Sequence, residues 1–221
     1  MMKTYSYRNI LNRAGWSLIL YGLLDILMLI YRGENGVNSI SGLGSVGIIA
    51  GVFLLRGNLK VTIWVTRCSG FYWMYRVCST VIGIVVFQDP DLWMAQLRLS
   101  PILNSVSWIF TGALAIYLPW LYCQLRHPQI RAALRTSGIN AAPPISAWVG
   151  GAGLAVIVSI LIYLAFSSAD AVAALQRAKQ QLGPNYTYRM TSIAWSGSQV
   201  EATVTAYNRN SIQSVDVEWT K

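Results

Sequence analysis

Two charged side chains stand inside apolar stretches of this sequence, Asp25 within Ala14 to Tyr31 and Arg76 within Cys68 to Phe87. A charge at the middle of a bilayer costs about 2.5–3.5 kcal/mol on insertion scales, so each needs a partner or a path to water. Asp25 follows the start of its run by roughly 16 Å and Arg76 by roughly 12 Å, at ~1.5 Å per helical residue. The depths are alike, so an Asp25–Arg76 pair is expected, which would offset part of the desolvation of each. Such a pair is structural if it fixes the packing of two helices, and functional if it serves as a proton or substrate site. The other outcome is that Arg76 reaches the interface and never meets Asp25.

Other chemistry is sparse. Cys68, Cys78 and Cys123 form no C-x-x-C, so no disulfide framework, zinc site or haem attachment can be read. His127 is the only histidine, and one chain cannot supply two histidine ligands. There is no phosphate-binding Walker loop, no G-x-S-x-G, no H-E-x-x-H and no dinucleotide fingerprint. The expectation is a protein without catalytic residues, metal or cofactor, and more a binder than an enzyme. The acids of the tail, Asp170, Glu201, Asp216 and Glu218, are spread over a helix and strands. Glu201 opposite Asp216 or Glu218 would be a solvated sheet face.

The elements that carry these residues belong in lipid. Hydrophobic residues make up 54% of the 221 and charged residues 11%, against about 25% charged in soluble domains. Mean hydropathy is +0.44. A soluble surface needs charged side chains to cover it, so a wholly soluble enzyme is all but excluded. Five apolar runs follow one another: Ala14 to Tyr31, Ile40 to Leu55, Cys68 to Phe87, Ile102 to Cys123 and Ala147 to Phe166. Each approaches the ~20 residues that cross a hydrocarbon core. The first has no small-residue cleavage site and reads as a retained helix. Arg56 to Arg67 is a basic connection that lies in the interface or extends the next helix, and Leu92 to Leu99 is an amphipathic surface segment.

The net charge of +9 comes from 17 Lys+Arg against 8 Asp+Glu. With the N-terminus inside, Lys3, Arg8, Arg13, Arg56, Lys60, Arg67, Arg126, Arg131 and Arg135 fall on the cytoplasmic side, and only Arg32 and Arg98 lie in short loops outside. The positive-inside rule therefore accounts for the basic excess. No Lys/Arg stripe forms, so nucleic acid is not an expected partner. Gln124 to Arg135 is basic and amphipathic, which suits Arg126, Arg131 and Arg135 to the anionic inner leaflet or to a cytoplasmic protein.

Gly42, Gly44, Gly47 and Gly51 line the second run, and Gly47-x-x-x-Gly51 has the spacing that lets helices approach closely, within the chain or in a homo-oligomer. Gly150, Gly151 and Gly153 offer the same near the start of the fifth. Aromatics such as Tyr5, Trp16, Trp64, Trp120 and Trp148 cluster near run ends, as interfacial belts do. Phe71 to Tyr75 is denser than a belt requires.

Organisation follows: residues 1–146 hold four spans and a basic linker, 124–146; residues 147–166 form a fifth span; residues 167–221 form a small exported domain. Ser168 caps a helix with Val172, Leu175, Ala178 and Leu182 on one face, and Gly183-Pro184 stops it. Three antiparallel strands follow, Tyr186 to Trp195, Gln199 to Tyr207 and Ile212 to Trp219, with Ser-Gly-Ser turning the first pair. About 55 residues is near the lower limit for independent folding, so this αβββ domain would gain from docking or a partner. Its open sheet edges could receive a strand from another chain.

The order of one span, Ser-Ser, a short Ala/Leu helix, Leu182-Gly-Pro184 and three strands resembles cytochrome oxidase assembly factors with one anchor and a small exported domain. The likeness covers about residues 147–221 and leaves out the four upstream spans. Ala14-Gly-Trp16, Tyr21-Gly-Leu-Leu-Asp25 and Ile49 to Gly57 are similar to stretches of small uncharacterised bacterial inner-membrane proteins, a likeness that supplies no function. The resemblance implies respiratory-complex assembly. The expected function is a multi-pass inner-membrane accessory or scaffold protein, whose exported domain binds another envelope protein. The alternative is a small oligomeric transporter or channel component that uses Asp25 and Arg76.

Overall fold

A computed structural model describes residues 7–34, 43–87, 89–99, 101–140, 142 and 145–221. Lys3, Tyr5 and Gly42 lie outside the described residues. Eight α-helices precede a sheet: α1 (Tyr7–Glu34), α2 (Leu43–Leu55), α3 (Leu59–Ile82), α4 (Pro90–Leu99), α5 (Pro101–Leu125), α6 (Pro128–Thr136), α7 (Ile145–Phe166) and α8 (Ala169–Leu182). A π-helical turn, Gly83–Phe87, extends α3. Strands β1 (Thr187–Ser196), β2 (Gln199–Tyr207) and β3 (Ile212–Thr220) close the chain.

Four helical stretches are long and apolar enough to cross a bilayer: Tyr7–Tyr31, Leu59–Val86, Asn104–Leu125 and Ile145–Phe166. In α7, Ile157, Ile160, Leu161 and Leu164 are each more than half exposed, as lipid-facing side chains would be. The expected second span is a helix of 13 residues, about 20 Å long at 1.5 Å per residue. That is short of a ~30 Å core, so the described helices meet the span criterion four times rather than five. The helix stops where Gly57 takes φ +76°. Asn58 Oδ1 then accepts from the backbone N–H groups of Lys60 and Val61 at 3.0 and 3.2 Å and starts α3. Of the two forms expected for Arg56 to Arg67 the structure has the second: from Leu59 onward the stretch extends the next helix as the first part of α3.

Packing divides the chain into two compact units. The first comprises Met1–Met74 with Ala115–Gly151, and the second Tyr75–Leu114 with Ala152–Lys221.

The first unit is built on an antiparallel α1–α2 hairpin with paired glycines. A Cβ placed on Gly15 would lie 2.8 Å from the Gly51 carbonyl oxygen, and one on Gly51 would lie 2.6 Å from that of Gly15. Gly22 and Gly44 stand in the same relation, with a Cβ on Gly44 only 2.8 Å from the Gly22 carbonyl oxygen. Gly47, expected at the contact, would bring its Cβ no closer than 3.5 Å to the Leu18 carbonyl oxygen, an ordinary contact. Glycines two turns apart on each helix, not four residues apart on one, thus set the approach. The Arg8 side chain reaches the turn at Gly57, so α2 returns to the level at which α1 begins.

At that end Leu11, Leu54, Leu121, Leu125 and Ile130 form a core with almost no exposure. Ile130 and Leu134, the apolar face of α6, are spent on this core. That face therefore packs on protein, and only the basic side of α6 is left to meet a leaflet. Trp148 seats its indole over Gly70, and Phe71 faces Gly150, so part of the dense aromatic stretch serves α3–α7 packing.

The second unit contains the αβββ domain. Ser168 Oγ accepts from Ala171 N–H at 3.2 Å at the start of α8, and Gly183 ends it at φ +83°. The sheet order is β1-β2-β3, antiparallel throughout, with a bulge between Met190 and Ser192. Ala171, Ala174 and Ala178 of α8 pack on Met190, Ala202, Val204, Val215 and Val217. Val172, expected on the buried face, is 53% exposed. The helix is turned so that small alanines face the sheet, which lets it lie close. Glu201 sits directly opposite Glu218 and Thr203 opposite Asp216; both glutamates are exposed, as on a solvated face.

Candidate functional site

The second unit carries an open groove of about 410 Å³ between the C-terminal part of α3 and α5. Arg76 and Thr80 come from α3, Gly83 and Ile84 from the π-helical turn, and Ser107, Trp108 and Thr111 from α5. One extra residue per turn, as in a π-helical segment, often marks a functional site. Thr111 Oγ1 donates to the Ser107 carbonyl oxygen at 2.9 Å, which leaves its lone pairs to accept. A guanidinium with three hydroxyls and no carboxylate would suit an anionic group carried into an apolar surface.

Asp25 is 6% exposed, in the first unit. Its Oδ2 would lie 3.0 Å from a Cβ on Gly44, so that glycine makes room for the carboxylate as well as for the backbone of α1. Asp25 falls in the first unit and Arg76 in the second. Arg126 precedes α6 and Arg131 and Arg135 lie on it, all in the first unit; Arg126 Nη1 donates to Tyr122 Oη at 3.2 Å. Among the described residues no group of three or more His, Cys, Asp or Glu side chains is arranged to hold a metal ion.

A second arrangement was not legible in the sequence. The Tyr207 hydroxyl donates to Asp89 Oδ2 at 3.1 Å, and Arg189 Nη1 lies 4.0 Å from the same oxygen. The residues between α3 and α4 are thereby tied to the sheet face opposite α8. Asp89 also caps α4 by accepting from Asp91 N–H at 3.1 Å. Across the domain, Asp170 Oδ2 accepts from Lys221 Nζ at 2.7 Å and from Trp195 Nε1 at 2.8 Å, joining α8 to the ends of β1 and β3. An alternating strand with a terminal tyrosine gives the position of Tyr207 but no sign of its acceptor.

These contacts set a pH response. Burial, and then the Asp89 carboxylate that takes its hydrogen bond, push the Tyr207 hydroxyl up to about 12. The folded domain keeps this proton where an unfolded tyrosine, at about 10, has lost it. Stability is therefore full below pH ~10 and falls as pH rises toward ~12. Tyr207→Phe should flatten that alkaline limb in a thermal-unfolding series on the full chain; an unchanged limb would contradict the assignment. At the acid end, the hydrogen bonds from Lys221 and Trp195 hold Asp170 below its ordinary 3.8. That contribution is present above pH ~3.8 and is lost as pH falls through the folded value.

Comparison with known proteins found no matching family model, no matching curated protein and no matching solved structure.

Proposed function

We propose that the chain is a multi-pass accessory protein of a bacterial inner membrane, with the N-terminus inside and residues 167–221 exported to hold another envelope protein. The observation that carries this reading is the sheet, whose β1 edge pairs with no strand among the described residues. On the opposite strand, β3 packs against α4. Strand addition at β1 gives backbone hydrogen bonds without a pocket. The ties from Tyr207 and Arg189 to Asp89 would hold a bound partner against the membrane region instead of on a loose tether.

Five crossings, with α2 as a short second one, are supported by its return along α1 and by the basic bias of the inner loops. A respiratory-complex component as partner rests on the resemblance of residues 147–221 alone.

Purification of a C-terminally tagged full chain in mild detergent, followed by mass spectrometry of what stays bound, tests the reading. A stoichiometric partner should be lost on deleting Ser167 to Lys221. It should also fall about tenfold, roughly 1.4 kcal/mol, in Ser192→Lys, because a charge on the open edge blocks strand addition. A homogeneous self-oligomer with no partner would count against the scaffold. It would favour the second reading, a small oligomeric transporter or channel component, which the groove at Arg76 supports. Asp25 is not among the residues lining that groove, so this reading now leans on Arg76 alone.

A further inference from the structure

Three arginines meet on one small cleft of the first unit. Arg67 of α3, Arg126 of the α5–α6 turn and Arg131 of α6 line about 30 Å³, together with Thr66 and Asn140. Such a space admits a water or the oxygens of one small anion, not an organic ligand of the usual ~300–1,000 Å³. Guanidinium groups stay charged at any working pH. Gathering three of them is unfavourable unless negative charge is at hand, and the chain has none nearby in sequence. No Asp or Glu occurs between residues 35 and 88 or between residues 92 and 169, which include α2, α3, α5, α6 and α7. Arg126 spends one donor on the neutral Tyr122 hydroxyl. Arg131 Nε is buried with no hydrogen-bond partner. A buried donor left unmade costs about 1–3 kcal/mol, and more on a charged group. The sequence alone offered a broad basic surface of Arg126, Arg131 and Arg135. The cleft takes in Arg67 and leaves out Arg135, which is exposed.

We propose that Arg67, Arg126 and Arg131 form a phosphate site, filled by the phosphodiester of an anionic phospholipid or by free phosphate. Planar guanidinium forks match the oxygens of a tetrahedral anion, and several forks on one anion give it orientation as well as charge. Binding would join α3, α5 and α6 at the end where their apolar core lies. The site does not depend on what the exported domain holds.

The test uses the full chain in a neutral detergent. Its probes are dioleoyl phosphatidylglycerol, dioleoyl phosphatidylcholine and inorganic phosphate, with chloride as the control anion. Lipid retained is read by native mass spectrometry, and the unfolding midpoint is read in parallel. The wild-type chain should retain phosphatidylglycerol about tenfold more than phosphatidylcholine, or be stabilised by millimolar phosphate over chloride. Arg126→Gln and Arg131→Gln should each remove that preference, Arg131→Lys should retain part of it, and Arg135→Gln should leave it intact. Phosphate that stabilises alone and displaces the lipid identifies a free anion; lipid retention that phosphate does not disturb identifies the phospholipid. Should the glutamine variants not fold, the wild-type preference and Arg131→Lys still decide. Absence of any wild-type preference overturns the site. So does an equal loss in Arg135→Gln, which would mean a diffuse basic surface.

Discussion

Gly44→Val is expected to disrupt the α1–α2 hairpin. The first new carbon alone would lie 2.8 Å from the Gly22 carbonyl oxygen, 3.0 Å from Asp25 Oδ2 and 3.2 Å from Ile26 Cγ1. The first of these is backbone and cannot swing aside. Overpacking of a tight contact costs about 3 kcal/mol at the upper end of its usual range, and here the displaced helix also uncovers a buried carboxylate. Valine itself adds only a few tenths of a kcal/mol of helix propensity. The control is Gly112→Val, because nothing lies within 4 Å of a Cβ at that position. In detergent, the Gly44 variant should lose its monodisperse elution peak or drop in unfolding midpoint while the Gly112 variant holds. Equal midpoints for the two would mean that the paired glycines do not set the helix distance.

Val204→Asp should unfold the C-terminal αβββ domain. Val204 has 0% exposure on the central strand, in one core with Ala171, Ala174 and Ala178 of α8. An unpaired buried carboxylate costs about 4 kcal/mol or more. A domain of this size has on the order of 3–8 kcal/mol in all, at ~0.05–0.15 kcal/mol per residue. Val172→Asp makes the same chemical change on the same small domain, at a position that is 53% exposed. Limited proteolysis of the full chain separates them: the Val204 variant should lose its protected C-terminal fragment, and the Val172 variant should keep it. If both were cut alike, the packing face of α8 would be the one on which Val172 lies.

That face shows where reading the sequence stops. Of Val172, Leu175, Ala178 and Leu182, the last three do pack on the sheet and only Val172 is left exposed; a helix lying close to a sheet favours alanine, and spacing alone does not weigh closeness. The strands were legible because Val200, Ala202, Val204 and Ala206 alternate and Gly197-Ser198 turns the chain. The long apolar helices were legible for a similar reason: their signal is contained in one segment. Gly47 and Gly51 drew notice by local spacing, whereas the contact is made by Gly15, Gly22, Gly44 and Gly51, whose pairing exists only once two helices meet. Lys60 and Arg67 left the start of α3 open between an interfacial segment and an extension of the helix, and Val61 to Val65 continue the helix. Arg76 was conspicuous as a charge among apolar residues, but its groove is completed by Ser107, Trp108 and Thr111, which carry no such mark. The cleft of Arg67, Arg126 and Arg131 joins residues far apart in the chain, and no period links them.

The bond between Tyr207 and Asp89 also constrains parity. In a bilayer, two residues that touch outside the core share a compartment, so the chain between them must cross an even number of times. The helices available for crossing between residue 89 and residue 167 are α5 and α7, which must therefore cross together or not at all. An insertion error in either one would leave donor and acceptor in different compartments. The mistake would register at once, as a tyrosine hydroxyl with no acceptor and a sheet face left uncovered.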